Sequence, residues 1–201
     1  MAVPTVPITP AQLEAGLKHV CYEHVSLLAG AWEMTNPAHV RPINLLIQDA
    51  TLVHLRAMAE FFHFSPDDGP LPKTLPRDRP DAKAIFYCQT AAWNPLQFDR
   101  SSKLMKALDK CLAHLSLARE LTIQNVGLSV AWDGPTHLHG TMKLMLTTWD
   151  QFQIAVLPQF VATLDRCLKE AEKTVDFSIT DFDLRFDAVS RQRQYTLGQL
   201  P

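Results

Sequence analysis

The strongest constraint on this chain is a helical period that persists, with one interruption, from residue 10 to residue 62. Thr9-Pro10-Ala11-Gln12 has the spacing of a capping box, with proline at the first helical position, where its missing N–H costs nothing. Behind it Leu13, Leu17, Val20, Cys21, Leu27, Leu28, Ala31 and Trp32 recur at steps of three and four, the period of a helix burying one face. Asn36-Pro37 stops this run. Pro42 then opens a second helix through Ile43, Leu46, Ile47, Ala50, Val53, Met58, Phe61 and Phe62. It is apolar on most of its circumference and reads as the central helix of a bundle.

The remainder is more broken. Residues 65–80 hold five prolines together with Asp67-Asp68-Gly69; so many fixed φ angles and missing donors exclude regular structure and predict a flexible surface loop. Residues 84–88 read as one short strand or an apolar anchor before Trp93-Asn94-Pro95. A third helix is expected over 101–120, with Leu104, Leu108, Cys111, Leu112 and Leu115 on one side. Residues 126–132 favour a short β segment ended by Asp133-Gly134-Pro135. The last long helix is expected to start near Thr148, with Trp149, Val156, Phe160, Leu164, Cys167, Leu168 and Ala171 on one face, kinked or divided at Pro158. From Val175 the apolar residues alternate, which suggests strand in a C-terminal tail, 175–201. The expectation is one mainly α domain over 1–201: a four-helix bundle with a proline-rich loop and a few short β segments.

Composition narrows the function classes. The chain has 201 residues, 47% of them hydrophobic and 20% charged, and a chain of that length buries roughly 70% of its unfolded surface without disulfides or a structural metal. Nineteen Lys and Arg against 21 Asp and Glu leave no basic field for duplex DNA. Seven glycines form no phosphate-cradling loop, and no GxSxG, HExxH or paired CxxC motif occurs. Cys21, Cys88, Cys111 and Cys167 are widely spaced and read as thiols packed as small hydrophobes. The N-terminal stretch lacks a basic region followed by an apolar run, and no window approaches the 18 apolar residues of a membrane span. These features point to a cytoplasmic protein that needs no cofactor.

Titratable residues cluster in three places. On the second helix Asp49, Arg56, Glu60 and His63 share a stripe, and Arg56 and Glu60 stand four apart, as a pair would. His54 points the other way, beside Ile47, Met58 and Phe61, and reads as a satisfied core histidine. On the third, Lys103, Lys110 and His114 share one side with Lys106 close by, a basic edge that could meet phosphate, with an imidazole suited to acid–base work. His137-Leu138-His139 offers two nitrogens in a Gly-flanked loop but no third ligand nearby, so no metal is expected.

Residues 47–62 (IQDATLVHLRAMAEFF) resemble the long central helix of a group of uncharacterised bacterial HEPN-like proteins, in which a His-x-Arg step precedes acidic and aromatic residues. Residues 108–116 (LDKCLAHLS) are similar to a later helix of the same group, with Asn/Asp-Lys followed by Ala-His-Leu-Ser/Thr. The likeness covers about a third of the chain. It implies a four-helix HEPN-type bundle, often paired as a homodimer, in which some members cleave RNA without a metal. Active members carry Arg followed by His after four to six residues, and Arg56 to His63 fits with six between, although Ala57 follows Arg56 where those members carry a polar residue. The resemblance thus nominates Arg56, His63 and His114 as catalytic, and RNA or a nucleotide as partner. The rival expectation is a non-catalytic helical interaction module, since fold alone does not carry function.

Overall fold

A computed structural model describes residues 5–34, 38, 41–62, 74–76, 83–89, 93 and 134–180. They form a mainly helical bundle. Its helices are α1 (Pro10–Glu33), α2 (Arg41–Phe62), α3 (Gly134–Ala155) and α4 (Pro158–Val175). Two three-residue strands, β1 (Thr5–Pro7) and β2 (Thr74–Pro76), pair antiparallel.

The capping box at the start of α1 forms as the sequence predicts. Thr9 Oγ1 accepts from the Gln12 N–H while Gln12 Oε1 accepts from the Thr9 N–H, so two otherwise orphaned donors are satisfied reciprocally. The helix that follows, rather than α2, occupies the centre of the bundle. It packs against both α2 and α4, and every residue from Glu23 to Leu28 is buried. By contrast, α2 keeps an outer face on which Ile43, Leu46 and Val53 are exposed. Ion pairs Glu14–Arg166 and Lys18–Glu170 put α4 parallel to α1, whereas contacts of Glu23 with His54 and of Gly30 with Thr51 put α2 antiparallel to it.

Pro158 divides the last helical run completely, and the upstream half is much longer than expected. Helix α3 begins at Gly134, not near Thr148. Gly134-Pro135 reads as a stop after a strand, but proline in a first helical turn loses no hydrogen bond, so the same pair starts a helix equally well. His137-Leu138-His139 therefore lies within α3, not in a loop. At the break, the Gln89 N–H donates to Ala155 O and the Leu157 N–H to Tyr87 O, both at 2.8 Å. The backbone groups freed by the division are satisfied by residues 87–89, with Cys88 bridged to Val156.

Three expectations of β structure need correction. Ala84–Phe86 is a single 3₁₀ turn, not a strand, its backbone bonds closing locally from the Phe86 N–H to Lys83 O and from the Tyr87 N–H to Ala84 O. The buried Ala84, Tyr87 and Cys88 make the segment an apolar anchor. The alternation from Val175 is not a strand where it is described. Val175 ends α4, Asp176 takes left-handed φ and ψ of 57° and 47°, and the Phe177 N–H returns to Glu172 O, a Schellman-type close that Asp tolerates better than most residues. Val175, Phe177 and Ile179 still pack on the core. Finally, Thr74–Pro76 pairs within the proline-rich stretch. Pro7 faces Thr74 and Pro76 faces Thr5, so the prolines take positions that donate nothing, and Val6 and Leu75 exchange the hydrogen bonds. The expected helix 101–120, the β segment 126–132, and the rest of both the loop 65–80 and the tail 175–201 lie outside the described residues.

The core joins the aliphatic side chains of α1 to an aromatic cluster. Phe61, Phe62, Tyr87, Trp93, Trp149 and Phe152 are buried, with ring centroids 5.2–6.5 Å apart in tilted and edge-on pairs, geometries favoured by the ring quadrupole. Leu164, Cys167 and Ala171 seal α4 against α1. Cys21, Cys88 and Cys167 are free thiols, all buried, and burial pushes Cys88 up to about 12, far from nucleophilic thiolate.

Two stability predictions follow from this packing. A methyl added at Gly30 would overlap Thr51 Oγ1 and sit 3.3 Å from Thr51 Cβ, and Thr51 is fully buried with its hydroxyl bound to Ile47 O. Gly30→Ala should therefore destabilise by ~1–3 kcal/mol despite its better helix propensity. Thr51→Ala in the same chain should recover part of the loss, read as a coupling in a urea double-mutant cycle. Leu164→Ala should cost ~2–5 kcal/mol and the exposed Lys169→Ala under ~0.5 kcal/mol; equal midpoints would contradict the packing of α4.

Candidate functional site

Because α1 is buried all round from Glu23 to Leu28, two titratable residues lie inside the bundle. Glu23, only 9% exposed, sits between two imidazoles. His54 of α2 donates from Nδ1 to Glu23 Oε2 at 2.7 Å, and His19, one turn earlier on α1, places Nε2 3.4 Å from Glu23 Oε1. The first contact is a full hydrogen bond between a largely buried ring and a buried carboxylate; the second reaches out to an exposed ring. Tyr22 meets the His54 ring edge-on.

His19 and Glu23 of this array line one wall of a cleft of about 400 Å³ between the first half of α1 and the second half of α2. Leu13, Val20, Met58, Phe61 and Tyr87 supply apolar walls, and Glu60 and Lys83 stand at the rim. Lys83 Nζ donates to Glu60 O at 2.8 Å, and Tyr87 OH donates to Leu13 O at 3.0 Å. The 3₁₀ turn thereby closes one end of the cleft against both helices. Among the described residues no three His, Cys, Asp or Glu side chains are grouped to hold a metal ion.

The sequence-nominated residues are only partly brought into view. Arg56 is half-exposed and pairs through Nε with Glu60 Oε1 at 3.1 Å, the i,i+4 pair expected from spacing. His63 and His114 lie outside the described residues, as do Lys103, Lys106 and Lys110. His54 is satisfied, as expected, but by Glu23 at the edge of the cleft. Sequence reasoning missed Glu23, His19 and His24. One signal was present: Glu23-His24 interrupts a run in which Cys21, Val25, Leu27 and Leu28 are all apolar, and polar residues embedded in a core helix need partners.

His24 has none. Both ring nitrogens are buried without a hydrogen-bond partner, and the ring stacks on Trp149 with centroids 3.8 Å apart and planes 8° from parallel. Full burial lowers its pKa from 6.5 to about 3, so it sits neutral as a flat, nearly apolar plate. No family model, curated protein or solved structure matches this chain. Among the described residues no helix is long and apolar enough to cross a membrane.

The depressed His24 pKa has a signed consequence. Between pH 6.5 and about 3 the unfolded chain takes up a proton at His24 that the folded protein refuses, so stability falls as pH falls through that window. From pH 7 to pH 5 this group should cost about 2 kcal/mol. His24→Phe retains a stacking ring and removes the titration. Its stability, followed by urea unfolding across that range, should fall by correspondingly less than the wild type, with no loss at pH 7.5. Parallel pH profiles would show that His24 is not buried neutral.

Proposed function

We propose that the protein is a HEPN-like helical interaction module that works as a homodimer joined through the outer face of α2. The observation carrying this reading is a row of exposed apolar residues on that face: Ile43, Leu46 and Val53 are 45, 70 and 52% exposed. With Ala50 and Ala57 they occupy alternating steps of three and four, the a and d positions of a heptad repeat. Scattered surface leucines need no explanation, whereas a continuous apolar stripe marks an interaction surface.

A second copy of α2 suits the stripe because its charges are self-complementary. Asp49 and Arg56 lie on the same flank, one heptad apart. In an antiparallel pairing that sets Ala50 against Val53 of the second copy, each Asp49 meets Arg56 across the two-fold axis. Every contact then occurs twice, as an isologous interface requires. Arg56 keeps its Glu60 contact within its own helix. The buried free thiols suit a reducing cytoplasmic setting.

RNA cleavage is the sharper form of the proposal, with Arg56 stabilising phosphorane charge and His114 or His63 moving a proton to or from the ribose hydroxyl. It is tested by incubating single-stranded RNA with the protein in EDTA. Cutting that Arg56→Ala abolishes without lowering the melting temperature would replace the interaction module by a nuclease.

Light scattering after size exclusion tests the dimer. The wild type should run at twice its 22.6 kDa, and Leu46→Glu should be monomeric with an unchanged helical signal. Asp49→Arg and Arg56→Asp should each weaken association by about tenfold, and the two together should restore it, because the charges are then exchanged rather than matched. A wild-type monomer, or a double variant no better than either single, would overturn the arrangement.

A further inference from the structure

We propose that the cleft between α1 and α2 binds a small organic cation, an amine or amidine carried on an aromatic or branched aliphatic body. At its rim Glu60 is paired with Arg56, and Lys83 is oriented by a hydrogen bond to the main-chain carbonyl of Glu60 that leaves its positive charge in place. Glu23 differs. It is a buried carboxylate facing the cleft, and its partners among the described residues are imidazoles, which carry charge only when protonated.

The two oxygens of Glu23 are not equivalent. Oε2 receives a 2.7 Å hydrogen bond from His54, which fixes the carboxylate plane. Oε1 faces His19 Nε2 at 3.4 Å, beyond the usual range for a good N–H···O bond. The His19 side chain is 71% exposed, so it can swing into solvent at little cost. A ligand N–H entering the cleft would take over Oε1 in a charge-assisted bond, while Val20, Met58 and Phe61 enclose its apolar part. The volume of about 400 Å³ lies toward the small end of ligand sites and suits one ring with a short chain. An anion would face Glu23 directly, and a neutral hydrocarbon would leave Oε1 unanswered.

The test uses the full chain, with 2-phenylethylamine as probe and 3-phenylpropionate as the like-sized anion. Binding is followed by amide ¹H–¹⁵N NMR shifts. The amine should shift Gly16, Val20, Met58 and Phe61 saturably, with a constant on the order of 1 mM for a ligand so small; the anion should not. Glu23→Gln keeps the shape and an acceptor for His54 and should weaken the amine at least about tenfold. Gly16→Leu fills the cleft without touching the Glu23–His54 pair, and should abolish binding in a folded protein even where Glu23→Gln fails to fold. Equal affinity for amine and anion, undiminished binding by Glu23→Gln or Gly16→Leu, or no saturable shift well above the expected constant would each overturn the proposal.

Discussion

From Glu23 to Leu28 helix α1 has no wet side, and most of the structure answers to that fact. A helix enclosed on every face must lie between other elements, here α2 on one side and α4 on the other, with Trp149 of α3 stacked on His24. The enclosure also removes water from two titratable side chains, and buried polar groups must pair or stay neutral. Glu23 pairs with His54 and lines the cleft. His24 stays neutral, its plane against an indole. The acid sensitivity ascribed to His24 and the carboxylate ascribed to the cleft are two outcomes of one packing constraint.

A second constraint concerns the backbone. Dividing the last helical run at Pro158 frees donors and acceptors at 155–157, and leaving such groups buried and unpaired costs ~1–3 kcal/mol each. Residues 83–89 answer this while tying three other parts together. Gln89 and Tyr87 satisfy the break, the Tyr87 hydroxyl reaches Leu13 at the start of α1, and Lys83 reaches the last turn of α2. This short strap therefore fixes the angle between α3 and α4 and builds the closed end of the cleft. Its five consecutive mostly apolar residues resemble a strand because their backbone does pair, but with a partner too short to be a sheet.

The legible parts of the sequence were those decided locally. The capping box at Thr9, the proline division at 158, the Arg56–Glu60 pair and the buried face of Leu164, Cys167 and Ala171 each depend on residues within a turn or two of one another. What failed depended on remote partners. The start of α3 turned on whether Gly134-Pro135 ends a strand or opens a helix, which local chemistry leaves undecided. The centre of the bundle was assigned to α2 because its outer face is as apolar as its inner one, and only the packed helices reveal that α1 is enclosed. The Glu23–His54 contact spans 31 residues, beyond any motif spacing, so His54 read as satisfied while its partner stayed unseen. The resemblance nominated Arg56, and the structure adds that its guanidinium is engaged by Glu60 on the outer side of α2.

The two proposed surfaces meet on one helix. Met58 and Phe61 face the cleft, Leu46 and Val53 face outward, and Ala57 and Glu60 lie at the boundary, lining the cleft while completing the heptad row. Glu60 also holds Arg56 through its carboxylate and Lys83 through its carbonyl. A ligand that drew Glu60 inward would release Arg56 to the opposite face, and a second copy that engaged Arg56 would free the Glu60 carboxylate toward the cleft. The coupling is reciprocal by thermodynamic necessity. Its size is limited to what one half-exposed ion pair can transmit, under ~1 kcal/mol, so the ligand and the second copy would tune one another's affinity severalfold rather than switch it. Helix α2 is thus built less as a central strut than as a shared wall, apolar on both sides, with its few charges at the seam.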